Sequence, residues 1–549
     1  MPASLPVLPN ARDARRQDLG RLAGTRWEIL VVGGGITGIG TLLDAATRGL
    51  RAALVERDDF GVGTSSRSSR LIHGGLRYLE QFQFGLVREA LRERARLLRI
   101  APHLVHLEPF LFPVYGGFWN RPFYGAGLTL YDLLGASADG GFHRHLSADE
   151  ALAAVPALRR RSLRGGFLYH DGQEDDARYV IAVLRTALAQ GATAVSRLVA
   201  EGLLESNGRA DGCVARDTLS GDELEIRADA VVDATGVWAA RPGGPFSWGA
   251  ANAILPSRGT HLVVRRDRIP SRYGLTLRIP GRVCFMVPGP SHWVIGTTDV
   301  EDPVPAERPA ATPGEVAEIL ESVNRTLDVD LARSDVVAAY AGIRPLAAEP
   351  SHGPGGTVKA SREHRIRTER NGLVRVSGGK FTTYRLMAEQ TVDAALRASG
   401  RSAPRSATTT LPLVGAGSAA QLESEAQRLV RQTGLDRPAV DHLLGRYGME
   451  TGALVELGLG LDLLRPLGAG PYLEAEVAWA VQHESALSLD DILSRRTRIA
   501  VEEPDRGASV AGRVAALIRG QLGWSDRYLA EAEAAYLKSA HAEFDLPAG

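Results

Sequence analysis

The chain has 549 residues, too many for one hydrophobic core, so two or three domains are expected. Lys plus Arg and Asp plus Glu both total 64, a balance that argues against nucleic acid as the main partner. Cys213 and Cys284 are the only cysteines; they exclude a disulfide framework and a cysteine-built metal centre, and a reducing, cytoplasmic compartment is expected.

Residues 1–26 mix prolines and arginines without the apolar stretch of a secretory signal, and read as an N-terminal arm or short helix. No window approaches the roughly 18 apolar residues of a membrane-crossing helix, so membrane contact is expected to be peripheral, on the inner face of the cytoplasmic membrane.

From Trp27 the order is strand, glycine turn, helix, strand. "WEILVVGGG" is a buried strand, "ITGIGTLLDAATRGL" a helix stopped by Gly49, and "RAALVERDDF" a second strand reaching Glu56. Gly33, Gly35 and Gly38 fill a G-x-G-x-x-G pattern that permits a tight turn and close backbone approach to a pyrophosphate. The first-turn amides, at Ile36 and Thr37, carry the positive end of the helix dipole. Glu56 stands where an acid accepts from adenosine ribose hydroxyls, and this βαβ unit predicts a dinucleotide.

The following segment, "DDFGVGTSSRSSRLIHGGLRYLEQ", has many small hydroxyls and no regular period, which suits wrapping FAD, a longer ligand than NAD. Next comes "FGLVREALRERARLLRIAPHL", a helix carrying Arg88, Arg92, Arg94, Arg96 and Arg99. It reads as a solvated face or as a basic surface toward anionic lipid. Residues 106–165 and 245–338 contain alternating runs such as "THLVV" and "VCFMVP", expected to form an antiparallel substrate domain in two pieces. The FAD-binding pieces are then 27–105, 166–244 and 339–402, the second including the turn "DATG" (Asp233 to Gly236). After a linker at 403–420, residues 421–549 have helical periodicity and no catalytic constellation, so packing or assembly is their expected role.

Five motifs carry a family resemblance: "GTSSRSSRLIHGGLRYLE" (Gly63 to Glu80), "DDAR" (Asp175 to Arg178), "GTTDV" (Gly296 to Val300), "AGIRPL" (Ala341 to Leu346) and "SGGKFTTYRLMAE" (Ser377 to Glu389). From about Trp27 to the C-terminal region the chain resembles the FAD-dependent, quinone-linked glycerol-3-phosphate dehydrogenases of the D-amino-acid-oxidase-like flavoprotein superfamily. The resemblance implies an α/β fold: a Rossmann-like FAD-binding domain interleaved with an antiparallel-sheet substrate domain, plus an all-helical C-terminal domain. It implies FAD as cofactor, oxidation of sn-glycerol 3-phosphate to dihydroxyacetone phosphate, and a quinone acceptor. One departure is Arg70, where the family commonly carries lysine.

Beyond the fingerprint and Glu56, the resemblance implies cofactor contacts from Arg57, Thr64, Ser65, Ser66, Ser69, Arg70, Leu71, His73, Gly74 and Gly75. It adds Val199, then Ala234, Thr235 and Gly236, then Gly379, Lys380, Phe381, Thr382 and Thr383. Substrate contacts are implied for Arg77, Tyr78, His261, Arg344, Arg362 and Lys380, with Arg344 and Arg362 gripping the phosphate through forked donors. Lys380 is expected beside the flavin, where a cation stabilises the reduced ring. His73 is the preferred base for the alcohol proton, His261 an orienting alternative, and Thr298 a candidate for the cavity wall. No metal is expected. The rival readings are an oxygen-using oxidase, an amine or amino-acid oxidase, and a flavin-bearing docking protein without turnover; whether the chain forms a homodimer is left open.

Overall fold

The computed structural model describes residues 11–75, 78, 82–117, 120–135, 141–240, 254–279, 282–302, 306–347 and 363–548. The arm forms a helix, Ala11–Gly24, tied to the body by Arg15 on Asp217 at 2.8 Å and by the Trp27 indole N–H donating to the Leu22 carbonyl at 3.2 Å.

The apolar runs Ile29–Val32 and Ala52–Val55 are buried along their whole length and pair in parallel, Leu30 beside Ala53. They sit inside a six-stranded sheet ordered His364–Thr368, Val374–Gly378, Val231–Asp233, Ile29–Val32, Ala52–Val55, Thr193–Val195, with one antiparallel pair at the edge. The helix Ile36–Thr47 packs on this sheet with the helices Asp176–Ala189 and Tyr384–Ser399, and its core cluster includes Ile39, Leu42, Val180, Val183 and Val392. A smaller antiparallel sheet joins Leu198–Ser206, Arg209–Asp217 and Glu223–Arg227.

The second large sheet carries Ile254–Arg265, Gly274–Ile279, Arg282–Pro288, His292–Gly296, His106–Tyr115 and Leu163–Gln173, joined by Leu71–Ile72 from the serine-rich loop. It is antiparallel except where Gly274 pairs in parallel with Phe110. The strand Leu163–Gln173 runs through position 165 and Val336–Ala347 through 338, so the expected boundaries at these two positions fall within continuous strands; the division into domains stands as a proposal.

The C-terminal region is helical from Ala419 to Phe544, with side-chain caps at Ser418, Asp436 and Ser525 that stop fraying. It docks through buried ion pairs rather than through apolar contacts alone. Arg496 and Arg495 grip Asp59 at 2.6 and 2.5 Å; although burial opposes ionisation, the two guanidinium groups hold that carboxyl down at about 2. Arg178 to Glu484, Arg197 to Asp491 and Arg446 to Asp175 repeat the arrangement at 2.5, 2.6 and 2.9 Å. Removing one partner of the fully buried pairs, Arg496 with Asp59 or Arg178 with Glu484, strands a buried charge at a cost of about 3–5 kcal/mol. Among the described residues no helix is long and apolar enough to cross a membrane.

Candidate active site

A cavity of about 590 Å³ lies where the parallel sheet meets the second sheet, a size typical of ligand and cofactor sites. The glycine turn forms part of its wall for the reason its spacing predicts. Gly33 has φ +112°, and a Cβ there would lie 2.6 Å from the Ala234 carbonyl; a Cβ on Gly38 would lie 2.0 Å from the Gly33 carbonyl. Gly38 is thus the packing glycine and does not itself line the cavity. The Ile36 amide donates to Ser65 Oγ at 3.0 Å, joining the helix start to the serine-rich loop.

Glu56 ends the second strand on the cavity wall and accepts from the Gly34 and Asp58 amides at 2.5 and 2.8 Å. Burial pushes its carboxyl up to about 7, against the lowering effect of those two N–H groups. The turn after Asp233 is held by that carboxylate, which accepts from the Thr235 hydroxyl at 2.6 Å and from Arg375 at 2.8 Å.

The loop from Gly63 to Leu71 is pinned on several sides. Thr64 Oγ1 donates to the Ile343 carbonyl at 2.5 Å, the Ser68 amide to Asp176 at 2.8 Å, and Ser69 Oγ lies 2.7 Å from His261 Nε2. His261 stacks on Tyr340 with centroids 4.9 Å apart. Burial, reinforced by Arg344 and Arg70, lowers its imidazole to about 3, so it is neutral at physiological pH. Lys380 Nζ sits 3.9 Å from the centroid of the Tyr78 ring, a cation–π contact at the cavity wall. The His73 amide donates to Thr382 Oγ1 at 3.3 Å, and its ring stands 5.8 Å from that of Phe285.

Arg344 reaches the cavity from the strand Val336–Ala347. Its guanidinium donates to Thr297 Oγ1 at 2.8 Å, the Thr298 carbonyl at 3.2 Å and Ser257 Oγ at 3.3 Å, with Asp299 at 3.8 Å. The fork is therefore aimed before any anion arrives.

The cavity wall gathers most of the expected site: Gly33, Gly35, Ile36, Thr37, Glu56 and Arg57 from the βαβ unit, and Thr64, Ser65, Ser69, Leu71, His73 and Tyr78 from the loop. Val199, Ala234, Thr235, Gly236, His261, Arg344, Gly379, Lys380, Phe381 and Thr382 complete it. Ser66, Arg70, Gly74, Gly75 and Thr383 are not part of the wall. Arg70 instead points to Glu502 at 3.8 Å, Gly74 donates its amide to the Tyr131 hydroxyl at 2.9 Å, and the Thr383 hydroxyl turns back to the Lys380 carbonyl at 3.3 Å. Arg77 and Arg362 lie outside the described residues.

Thr298 departs from expectation. Its hydroxyl is buried, accepting from the Thr260 amide at 2.9 Å and donating to Glu315 at 2.8 Å, so it supports Arg344 through its carbonyl and does not face the cavity. Trp238, two residues beyond "DATG", was not anticipated; it lines the cavity with Arg57 5.9 Å from its ring. Its indole N–H and His261 Nδ1 are buried and have no hydrogen-bond partner among the described residues, as expected where a polar ligand completes the site. The glycine cradle, the buried acid and these two orphan atoms fit a dinucleotide cofactor.

The match to a family model for FAD dependent oxidoreductases spans residues 28–394, and a second, for the C-terminal domain of alpha-glycerophosphate oxidase, spans 406–529. The chain is 42% identical over 531 residues to glycerol-3-phosphate dehydrogenase 2 of Mycobacterium tuberculosis, covering 95% of this chain and 90% of that protein. It is 36% identical over 544 residues to the human mitochondrial glycerol-3-phosphate dehydrogenase, covering 94% and 73%. The fold matches the X-ray structure of the glycerol-3-phosphate dehydrogenase from Bacillus halodurans complexed with FAD, with a TM-score of 0.80, 27% identity, and 97% and 98% of the two chains covered. Cavity, cradle and near full-length likeness agree, and the chain belongs to the FAD-dependent glycerol-3-phosphate dehydrogenase family.

Proposed function

We propose that the protein oxidises sn-glycerol 3-phosphate to dihydroxyacetone phosphate and delivers the electrons to a quinone. Bound FAD supplies the hydride acceptor. The residues supply position, charge and a base. Arg344 binds the phosphate through its held fork, joined by Arg362 on the strength of the family motifs, which also bring Arg77 near the substrate. Lys380 places a cation near the electron acceptor. His73 takes the proton of the secondary hydroxyl, while His261 accepts from or donates to the substrate as a neutral imidazole; at about 3 it is too weakly basic to be the better proton acceptor.

The observation that carries this reading is the aimed guanidinium of Arg344 on the same wall as Lys380, His73 and His261. The match of residues 406–529 to a domain of alpha-glycerophosphate oxidase keeps oxygen as a second acceptor in view. Turnover with a soluble quinone under exclusion of oxygen, compared with peroxide yield in air, separates the two. Quinone reduction in step with product supports the dehydrogenase; peroxide equal to product in air, with no anaerobic turnover, supports the oxidase.

Delivery to a membrane quinone needs a docking surface, and one region suits it. The helices Phe84–Ile100 and Asn120–Leu134 pack together through Leu86, Leu91 and Tyr131, and they or their flanks expose Phe82, Phe84, Phe123, Leu133 and Phe142. Arg88, Arg92 and Arg99 are exposed on the first helix. Arg94 is not part of that face: it is buried and donates to Asp171 at 2.6 Å, which corrects the expectation of five solvated arginines.

A further inference from the structure

The cofactor loop is held from outside by the C-terminal domain. Arg67, in the middle of the loop, and Glu543, in the last turn of the helix Asp526–Phe544, are 5% and 4% exposed. Arg67 Nε donates to Glu543 Oε1 at 3.0 Å, and Nη2 donates to the same oxygen at 2.5 Å. Its remaining nitrogen, Nη1, donates back to the carbonyls of Val62 and of Gly63, the latter at 3.2 Å. One guanidinium thus ties the last helix of the chain to the backbone of a segment that lines the cavity.

A second tether runs in parallel. Arg498 donates to the Ser66 carbonyl at 3.3 Å and to Asp175 at 2.8 Å, and it also pairs with Asp176, whose other oxygen accepts the Ser68 amide at 2.8 Å. On the inner side the loop presses on the strand that carries Arg344: a Cβ on Gly342 would lie 2.6 Å from the Arg67 carbonyl. The loop's own regular structure is a single 3-10 turn, Thr64–Ser66, which is too short to hold its shape unaided.

We infer that Glu543 is a positioning residue for the cofactor: through Arg67 it holds the loop in the binding conformation before FAD arrives, which makes the C-terminal domain part of the cofactor site at one remove. This rests on the assignment of the cavity to FAD. A ligand's affinity falls in proportion to the fraction of protein in the competent conformation, so releasing the tether at Glu543, which does not line the cavity, weakens FAD binding without altering a cavity-lining side chain, whereas Arg67 is itself part of the cavity wall.

The test compares apoprotein variants by FAD titration and by amide exchange across residues 62–70. E543Q and R67K are each expected to raise the FAD Kd about tenfold and to speed exchange in the loop, and the double variant to be no weaker than the weaker single one. E450Q breaks another interdomain pair, Arg185 with Glu450, that does not touch the loop, and is expected to leave the Kd unchanged. An unchanged Kd in E543Q, an equal rise in E450Q, or additive effects in the double variant would each overturn the inference. Should the apo form of E543Q fail to survive flavin removal, the rate of flavin release from the holoprotein gives the same comparison. A wild type that binds no flavin would contradict the cofactor assignment instead.

Discussion

Arg344 is held by two hydroxyls, a carbonyl and a nearby carboxylate, so the role in substrate binding proposed for it can be tested apart from the cofactor. Hydrogen bonds to a charged group are worth about 1.5–3 kcal/mol, so Arg344→Ala is expected to raise KM for glycerol 3-phosphate by about tenfold to a hundredfold while flavin content is unchanged. Loss of flavin from that variant would place the residue on the cofactor instead. His261 makes a second prediction. Burial, with Arg344 and Arg70, lowers its folded value to about 3 from an ordinary 6.5, so the unfolded chain binds the proton more readily. The neutral imidazole's contribution is therefore fully present above about pH 6.5 and is lost as pH falls toward 3. Denaturant titrations of wild type and His261→Gln between those limits are expected to show a shallower pH dependence in the variant; identical slopes would contradict the assignment. Placement on the cavity wall was legible where a motif gave local spacing, as at Gly33 and Glu56, or where the family resemblance carried it, as at Lys380. Pairings across the chain were not: Ser69 meets His261 192 positions later, and Asp171, the partner of the helical Arg94, lies 77 positions away on a strand of the second sheet.

At the scale of elements, the βαβ unit was readable because its features are local: an unbroken apolar strand, glycines where a side chain would collide, and a helix stop. Gly38 tests that reasoning by setting two effects against each other. Alanine is favoured over glycine in a helix by about 1 kcal/mol, yet here its Cβ would meet the Gly33 carbonyl at 2.0 Å, and the backbone of the turn would have to move. Gly38→Ala is expected to lower the melting temperature and abolish flavin retention; a variant more stable than wild type would show that the turn tolerates the methyl group. The second sheet was legible as alternating strands, but its one parallel junction and its capture of Leu71–Ile72 depend on long-range pairing that alternation does not encode.

The whole molecule shows a helical domain that periodicity predicted but whose role it left at packing. Its acids find arginine partners more than 300 positions away in the rest of the chain, Glu484 in Arg178 and Glu543 in Arg67, so no local pattern announces the brace proposed for the cofactor loop. The exposed aromatic residues around the helix Asn120–Leu134 likewise gain meaning only once the helix Phe84–Ile100 is packed beside it. Flotation with vesicles containing anionic lipid is expected to recover the wild type, and Phe123→Ser with Leu133→Ser to reduce recovery severalfold without changing turnover of a soluble quinone. Equal recovery would move the docking surface elsewhere. The central claim, a cationic chamber that delivers glycerol 3-phosphate to FAD, is met most directly by anaerobic mixing of the flavin-loaded protein with glycerol 3-phosphate while flavin absorbance is followed. The account predicts bleaching at a rate that saturates with substrate and is slowed at low concentration by Arg344→Ala; an oxidised spectrum that persists at saturating glycerol 3-phosphate would contradict it.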